Sequence, residues 1–214
     1  MASGAVNNRR DSVRTREEIL DVATREFAER GLAGGRVDEI AEQTRTTKRM
    51  IYYYFESKEQ LFVAVLERAY TEIRAAEQTI DVDHLEPAEA IRRLAELTFD
   101  FQDSHPEFSR LVSIENIHLA EHIAGRSDFA GKNSPAIELI DSILTRGRAD
   151  GTFRREIDAV DLHMMISAFC VFRMANRHTF GAIFHRDLTD PDLRERYRRM
   201  LGDMVVDYLR SAGG

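Results

Sequence analysis

The 214-residue sequence predicts an all-α fold of about nine helices, a three-helix N-terminal domain followed by a larger helical one. Three observations carry this. Apolar residues recur at three- and four-residue spacing along most of the chain, and no stretch alternates for long enough to build a sheet. Ser, Thr, Asp, Pro and Gly fall where helices would start and stop. A hydrophobic content of 43% is enough for a substantial core.

In chain order, residues 1–14 mix Gly, Ser, Asn and Arg without periodicity and are expected to form a disordered arm. Thr15 with Glu18 makes a capping box, and Ile19, Ala23 and Phe27 then repeat at helical spacing up to Gly31. Gly34 and Gly35 break the chain. Val37, Ile40 and Ala41 give the inner face of a short second helix. Thr46 or Thr47 caps a third, with Met50, Ile51 and Phe55 as its apolar contacts. Ser57 and Gln60 form a second capping box that opens a long helix, 57–79, through Leu61, Val65, Leu66, Ala69 and Ile73. The expected domains are 15–60 and 61–214, linked through that helix, and the connection after Ile80 reads as a domain boundary. Pro87 begins the next helix, 88–103, and Pro106 restarts one that runs to about Gly125. Residues 125–134 read as a loop, 135–149 as a helix and Asp150-Gly151 as a turn. Asp158 or Asp161 caps a helix to about Phe180, and the last helix runs from near Pro191 to Arg210.

The net charge of −7 is unevenly placed. Residues 1–60 hold 11 basic and 11 acidic residues, so the remainder, with 19 against 26, carries the whole excess. Between Thr44 and Phe55 lie Arg45, Lys48 and Arg49 and no acid, while Arg9, Arg10, Arg14 and Arg16 make the N-terminal stretch basic. That stretch reads equally as a minor-groove arm or as a solvated tail. The single cysteine, Cys170, excludes an internal disulfide and a multi-cysteine zinc site. No secretory leader opens the chain and no apolar run approaches a membrane span, so a cytoplasmic protein without membrane contact is expected.

Residues 36–58 read as a helix-turn-helix running into a further helix. A recognition helix needs an apolar inner face and polar or aromatic side chains aimed into the major groove. Here Lys48, Arg49, Tyr52, Tyr53 and Tyr54 spread around the outside; tyrosine hydroxyls suit phosphate oxygens and arginine can donate two bonds to guanine. Met50 and Tyr52 read equally as packing residues. Lys58 sits at a helix N-terminus, where free amides and the macrodipole favour phosphate.

The segments Ile19-Leu20-Asp21-Val22-Ala23, Phe27-Ala28-Glu29-Arg30-Gly31, Val37-Asp38-Glu39-Ile40-Ala41, Ile51-Tyr52-Tyr53-Tyr54-Phe55, Ser57-Lys58-Glu59-Gln60-Leu61 and Ala64-Val65-Leu66 resemble the TetR family of bacterial transcriptional repressors in order and spacing, over about residues 15–70. The resemblance implies an N-terminal helix-turn-helix DNA-binding domain and a C-terminal ligand-binding and dimerisation domain. It implies a double-stranded DNA operator, a small-molecule effector and a homodimer formed through the last two helices. By position, Lys48, Arg49, Met50, Tyr52, Tyr53, Tyr54 and Lys58 fall where the family contacts DNA, with Arg36, Val37 and Thr47 as further contacts. Two departures stand out. Arg36 replaces the usual Ser or Thr cap, and Thr44-Arg45-Thr46 replaces the usual small, Gly and Val residues of the turn.

Elsewhere, His118-Leu119-Ala120-Glu121-His122 matches H-x-x-E-H, in which two histidines one helical turn apart bind zinc and the glutamate acts as base. Five residues carry little information, and a polar stripe on an amphipathic helix fits as well; zinc catalysis or sensing is the alternative to a non-enzymatic regulator. No nucleophile motif or phosphate loop is present, and neither cofactor nor metal is expected. Leu162, Met165, Phe169, Arg173, Asn176 and Phe180 fall near one stripe, and a guanidinium within it demands a carboxylate of the protein or an anionic ligand. The candidate ligand contacts are His118, His122, Phe169, Arg173, Asn176 and Arg177. Met200, Leu201, Met204, Val205, Tyr208 and Leu209 supply an apolar face suited to a four-helix dimer interface.

Overall fold

The computed structural model describes residues 3–82 and 84–211, with side chains described from residue 11 except at 127, 128, 130, 132 and 133. Among the described residues there are ten helices and no strand: α1 (Ser3–Gly34), α2 (Val37–Gln43), α3 (Lys48–Phe55), α4 (Lys58–Glu77), α5 (Pro87–Ser104), α6 (Pro106–Ile117), α7 (Ser127–Ala149), α8 (Ala159–Ala175), α9 (Arg177–Phe184) and α10 (Pro191–Arg210). They divide into two compact units, Met1–Ala69 with Arg110–Gly125, and Tyr70–Ser109 with Arg126–Gly214. The first unit thus takes in two stretches, 61–69 and 110–125, that the sequence assigns to the second domain. The long helix α4 begins in one unit and ends in the other.

In the first unit, Ile19, Ala23 and Phe27 of α1, Ile40 of α2, Ile51 of α3 and Leu61 and Phe62 of α4 are fully buried. Phe27 and Phe62 meet edge to face at 5.4 Å. Gly31 leaves the helical conformation at φ 71°, and Gly35 lies where a Cβ would stand 2.6 Å from the Phe27 ring, so the two glycines make the corner into α2. The start of α1 differs from expectation. Residues 3–14, expected to be disordered, are helical, and no proline interrupts them. No capping box forms at Thr15, because its hydroxyl donates to the Asp11 carbonyl inside the helix, at 2.9 Å. Arg14 pairs with Glu18 at 3.3 Å, and Arg16 lies over the Phe55 ring at 5.1 Å. The Arg9 and Arg10 side chains lie outside the described residues.

In the second unit, α5 packs against α7, α8 and α10. Ile91, Leu94 and Phe99 meet Ile140, Ile143 and Leu144, Leu162 and Ile166, and Leu201, Val205 and Leu209 in one core. Pro87 opens α5, and the Asp158 and Asp190 side chains cap α8 and α10 by accepting from the backbone amides of Val160 and Asp192. An ion network ties α10 to α5: Arg194 donates to Asp100 and Asp103 at 2.6 and 2.7 Å, and Arg198 to Glu96 and Asp100 at 2.9 and 3.0 Å.

Several boundaries depart from the sequence reading. The helix after Pro106 stops at Ile117, because Leu119 and Ala120 take left-handed conformations. Residues 127–134, read as loop from their Gly, Asn, Ser and Pro, open α7 instead, and Phe129 is anchored edge-on to Tyr70 at 5.8 Å. The single helix expected to Phe180 is divided at Asn176, where α9 begins. On α10, Leu201, Val205 and Leu209 belong to the core, which leaves Met200 and Met204 as the large apolar side chains facing outward.

Candidate nucleic-acid interface

Val37, Ile40 and Ala41 seat α2, and Ile51 and Phe55 seat α3. Between them the chain turns through Thr44, whose hydroxyl donates to the Ile40 carbonyl at 2.7 Å, and Arg45, which adopts φ 51°. Thr46 N–H closes the turn on the Ala41 carbonyl at 3.0 Å. Thr47 caps α3, its hydroxyl accepting from Met50 N–H at 3.2 Å. Arg36, which cannot cap with its own side chain, is served from α1: its backbone N–H donates to Glu26 at 2.9 Å, and its guanidinium pairs with Glu39 at 3.0 Å.

The outer face of α3 is basic and aromatic. Tyr53 is 76% exposed, and Tyr52 and Met50 are about half as exposed at 40% and 38%, which places both outside the core rather than in it. Thr47, Lys48 and Arg49 are exposed beside them, as are Arg45 and Arg36 on the flanks. Lys48 forms an ion pair with Asp38 of α2 across solvent. Such a pair contributes little, so a phosphate can displace the aspartate.

Three of the residues expected on this face are held differently. Val37 is buried, because its side chain belongs to the inner face of α2. Tyr54 is half-buried with its hydroxyl 3.1 Å from that of Ser12. Lys58 is drawn to the Ala33 carbonyl at 3.2 Å. The amides at the start of α4 are also taken, Gln60 N–H by the Ser57 hydroxyl and Leu61 N–H by the Ser57 carbonyl. Glu59 is held below the usual carboxylate range by its own backbone N–H and by the Ser57 hydroxyl, so a negative charge already sits there.

The H-x-x-E-H segment does not assemble the site its pattern suggests. His118 and His122 lie past the end of α6, in a turn with left-handed residues at Leu119 and Ala120 rather than on a helical face, their rings meeting edge to face at 5.8 Å with Glu121 3.6 and 3.7 Å from them. Glu115, 97% buried, accepts from His122 and Ile123 N–H at 2.8 and 3.2 Å, and its other oxygen lies 2.8 Å from His122 Nδ1. It staples the turn. Among the described residues no cluster of three His, Cys, Asp or Glu is placed to hold a metal.

Of the other candidate ligand contacts, Arg173 is 96% buried with its partners inside the chain. Its Nε donates to the Leu188 carbonyl at 2.8 Å and its Nη2 to Asp103 at 2.6 Å, with the guanidinium 4.4 Å from the Phe99 ring. The carboxylate its burial demands is therefore Asp103, not that of a ligand. Arg177 donates to the Met174 carbonyl at 3.3 Å, and Asn176 is the junction of α8 and α9. Cys170 is buried and its thiol is pushed up to about 12 by that burial, which makes it a core residue rather than a nucleophile.

Two cavities of the second unit have other walls. One, of about 780 Å³, is bounded by Arg148, Asp158, Asp161, Met164, Met165 and Tyr208. The other, of about 290 Å³, lies among Arg74, Glu77, Ile80, Pro135, Ala136 and Leu139. The sequence reading missed Arg74 and Glu77. A signal was present: Glu77 continues the apolar stripe of α4, one step of four after Ile73.

A short helix, a tight turn and a second helix with an apolar inner and a basic aromatic outer face define a helix-turn-helix DNA-binding module. With a wholly helical second unit, the chain is a transcriptional regulator of the helix-turn-helix class. Residues 19–65 match the family model described as bacterial regulatory proteins, tetR family, and residues 87–205 the one described as tetracyclin repressor-like, C-terminal domain. The chain belongs to the TetR family. It is 34% identical over 197 residues to the HTH-type transcriptional repressor NicS of Pseudomonas putida, covering 92% of this chain and 93% of that one. Its structure is similar to that of SCO4942 from Streptomyces coelicolor, with a TM-score of 0.67 and 30% identity over 91% of this chain and 97% of the other. The fold of AibR, in a crystal with isovaleryl coenzyme A and operator DNA, matches with a TM-score of 0.67 at 19% identity, over 89% and 97% of the two chains.

Proposed function

We propose that this protein is a repressor that binds an approximately palindromic DNA operator as a homodimer, one α3 per half-site, and that a small molecule held in the second unit releases it. The outer face of α3 carries the reading: Lys48, Arg49, Tyr52 and Tyr53 are exposed together, with no acid on the helix. Arg49 suits a guanine edge, and the tyrosine hydroxyls and Lys48 suit phosphates. The flanking Arg36 and Arg45 extend the positive surface. The name of NicS and the AibR complex with ligand and operator support the repressor and effector parts.

Dimerisation through the last long helices is supported by outward apolar side chains, Val160 and Met164 on α8 and Met200 and Met204 on α10. Helix α4 offers the coupling, since its first turns belong to the DNA-binding unit and its last to the other. A ligand acts only as far as it prefers the conformation that does not bind DNA.

Fluorescence anisotropy with operator DNA tests the interface. Arg49→Ala should cost about 1–3 kcal/mol in operator affinity, and Tyr53→Ala should also weaken it, with the dimer still folded by circular dichroism. Removing Lys48 should reduce the slope of log K against log salt by about 0.9, one phosphate contact. Unchanged affinity and slope in all three variants would sink the assignment of this face.

A further inference from the structure

We infer that Glu26 of α1 is a positioning residue for DNA binding: it supplies the missing half of the cap at the start of α2, and so leaves Glu39 to hold the Arg36 guanidinium outward for a DNA phosphate. This rests on the operator reading above and adds to it a residue that does not itself touch DNA. In a capping box the N-cap hydroxyl accepts from the N3 amide, while the N3 glutamate accepts from the N-cap amide. At α2 the N-cap is Arg36, which has no acceptor, and the N3 residue is Glu39. Glu39 is engaged elsewhere, its Oε1 lying 3.0 Å from Arg36 Nη1. The Arg36 N–H donates instead to Glu26 Oε1 at 2.9 Å. Gly35 makes this reach possible, passing so close to Phe27 that a Cβ would stand 2.6 Å from the ring, which brings the next amide onto the neighbouring Glu26.

Glu26 is only 5% exposed, a place where apolar side chains are the rule and a carboxylate is costly without partners. Its partners are the Arg36 amide and, one helical turn on, the Arg30 guanidinium at 3.5 Å. What the acid adds to the core at this position is therefore a fixed corner between α1 and α2. The consequence lies at the surface. Arg36, with its side chain 59% exposed, gives one edge of its guanidinium to Glu39 and keeps other N–H groups for a phosphate. A guanidinium already clamped loses less freedom on binding than a free one. Charge alone gives the opposite sign, since removing an acid beside a DNA-binding surface lessens repulsion and tightens binding. The direction of the effect thus separates positioning from charge.

The test uses the full chain, with a DNA duplex carrying the sequence that the unaltered protein selects from a random pool, and thermal unfolding without DNA. Glu26→Leu should weaken binding about tenfold by orphaning the Arg36 amide. It should also reduce the slope of log K against log salt by about 0.9, one phosphate contact, although Glu26 meets no phosphate. Glu26→Gln, whose amide oxygen still accepts, should stay within about threefold of the unaltered protein. Arg36→Thr should lose the same slope, but its hydroxyl can cap α2 and Glu39 is released to complete the box. In that background Glu26→Leu should cost less than about threefold in affinity, and less in melting temperature than it does beside Arg36. Tighter or unchanged binding by Glu26→Leu, an equal cost in both backgrounds, or a loss in Glu26→Gln as large as in Glu26→Leu would each overturn the proposal. Should Glu26→Leu alone fail to fold, recovery of folding in the double variant supports it and failure of both overturns it. If the unaltered protein selects no sequence, the operator reading fails instead, and the melting temperatures still decide whether Glu26 and residue 36 share the cap.

Discussion

At the scale of single residues, the turn of the DNA-binding module holds a strained position. Arg45 sits at φ 51°, a conformation that favours glycine and costs other L-residues about 1–2 kcal/mol. A strained, exposed arginine here places a cation beside Lys48 and Arg49. Arg45→Gly should therefore raise stability by up to about 1 kcal/mol, since glycine's larger unfolded-state entropy, about 0.5–1 kcal/mol, offsets part of the relief. The same change should weaken DNA binding. Thermal unfolding and anisotropy on one preparation check both signs, and a variant that melts lower and binds as well would contradict the argument. Both departures, Arg36 and the Thr44-Arg45-Thr46 turn, were legible in the sequence as breaks in a pattern. How they are accommodated was not: Arg36 is served by Glu26, ten residues earlier, and Tyr54 and Lys58 are held by Ser12 and Ala33. Local spacing does not report contacts of that kind.

At the scale of elements, caps and prolines mark helix starts at Thr47, Ser57, Pro87, Asp158 and Pro191, whereas Thr15 lies inside α1 and Pro135 inside α7. The boundaries misread were decided by tertiary contact or backbone conformation. Glu115 folds the 118–125 turn around itself, and Phe129 reaches Tyr70 from a segment whose composition reads as loop. The link between α5, α8 and α10 is likewise electrostatic as well as apolar. Burial raises the Asp103 carboxyl, but hydrogen bonds from Arg194 and Arg173, and then their charges, outweigh it and hold it below its ordinary value. A depressed carboxylate contributes stability above its unfolded pKa, and that contribution is lost as pH falls through the lower folded value. Asp103→Ala should cost roughly 3 kcal/mol at neutral pH by leaving Arg173 buried without its carboxylate, and the deficit should shrink in acid. Urea unfolding at neutral and acidic pH measures this, and a deficit independent of pH would contradict it.

At the scale of the whole molecule, charge and function divide together. Residues 1–60 are balanced, with Arg36, Arg45, Lys48 and Arg49 exposed on and beside α3, while the rest of the chain carries the acidic excess. A chain of net charge −7 can therefore hold DNA through a small local surface. The all-helical class and the helix-turn-helix were legible because both rest on short-range periodicity and caps. The cavity beside Arg74 and Glu77 was not, since it is formed by α4 and α7, whose facing residues lie about sixty apart in the sequence. The central claim, that paired copies of α3 read an operator, is tested most directly by selecting bound sequences from a random DNA pool at fixed salt. The account predicts enrichment of an inverted repeat whose half-sites are about 34–36 Å apart or a multiple of that, and its loss in Arg49→Ala. No enriched sequence, or the same repeat enriched equally well by the variant, would contradict it.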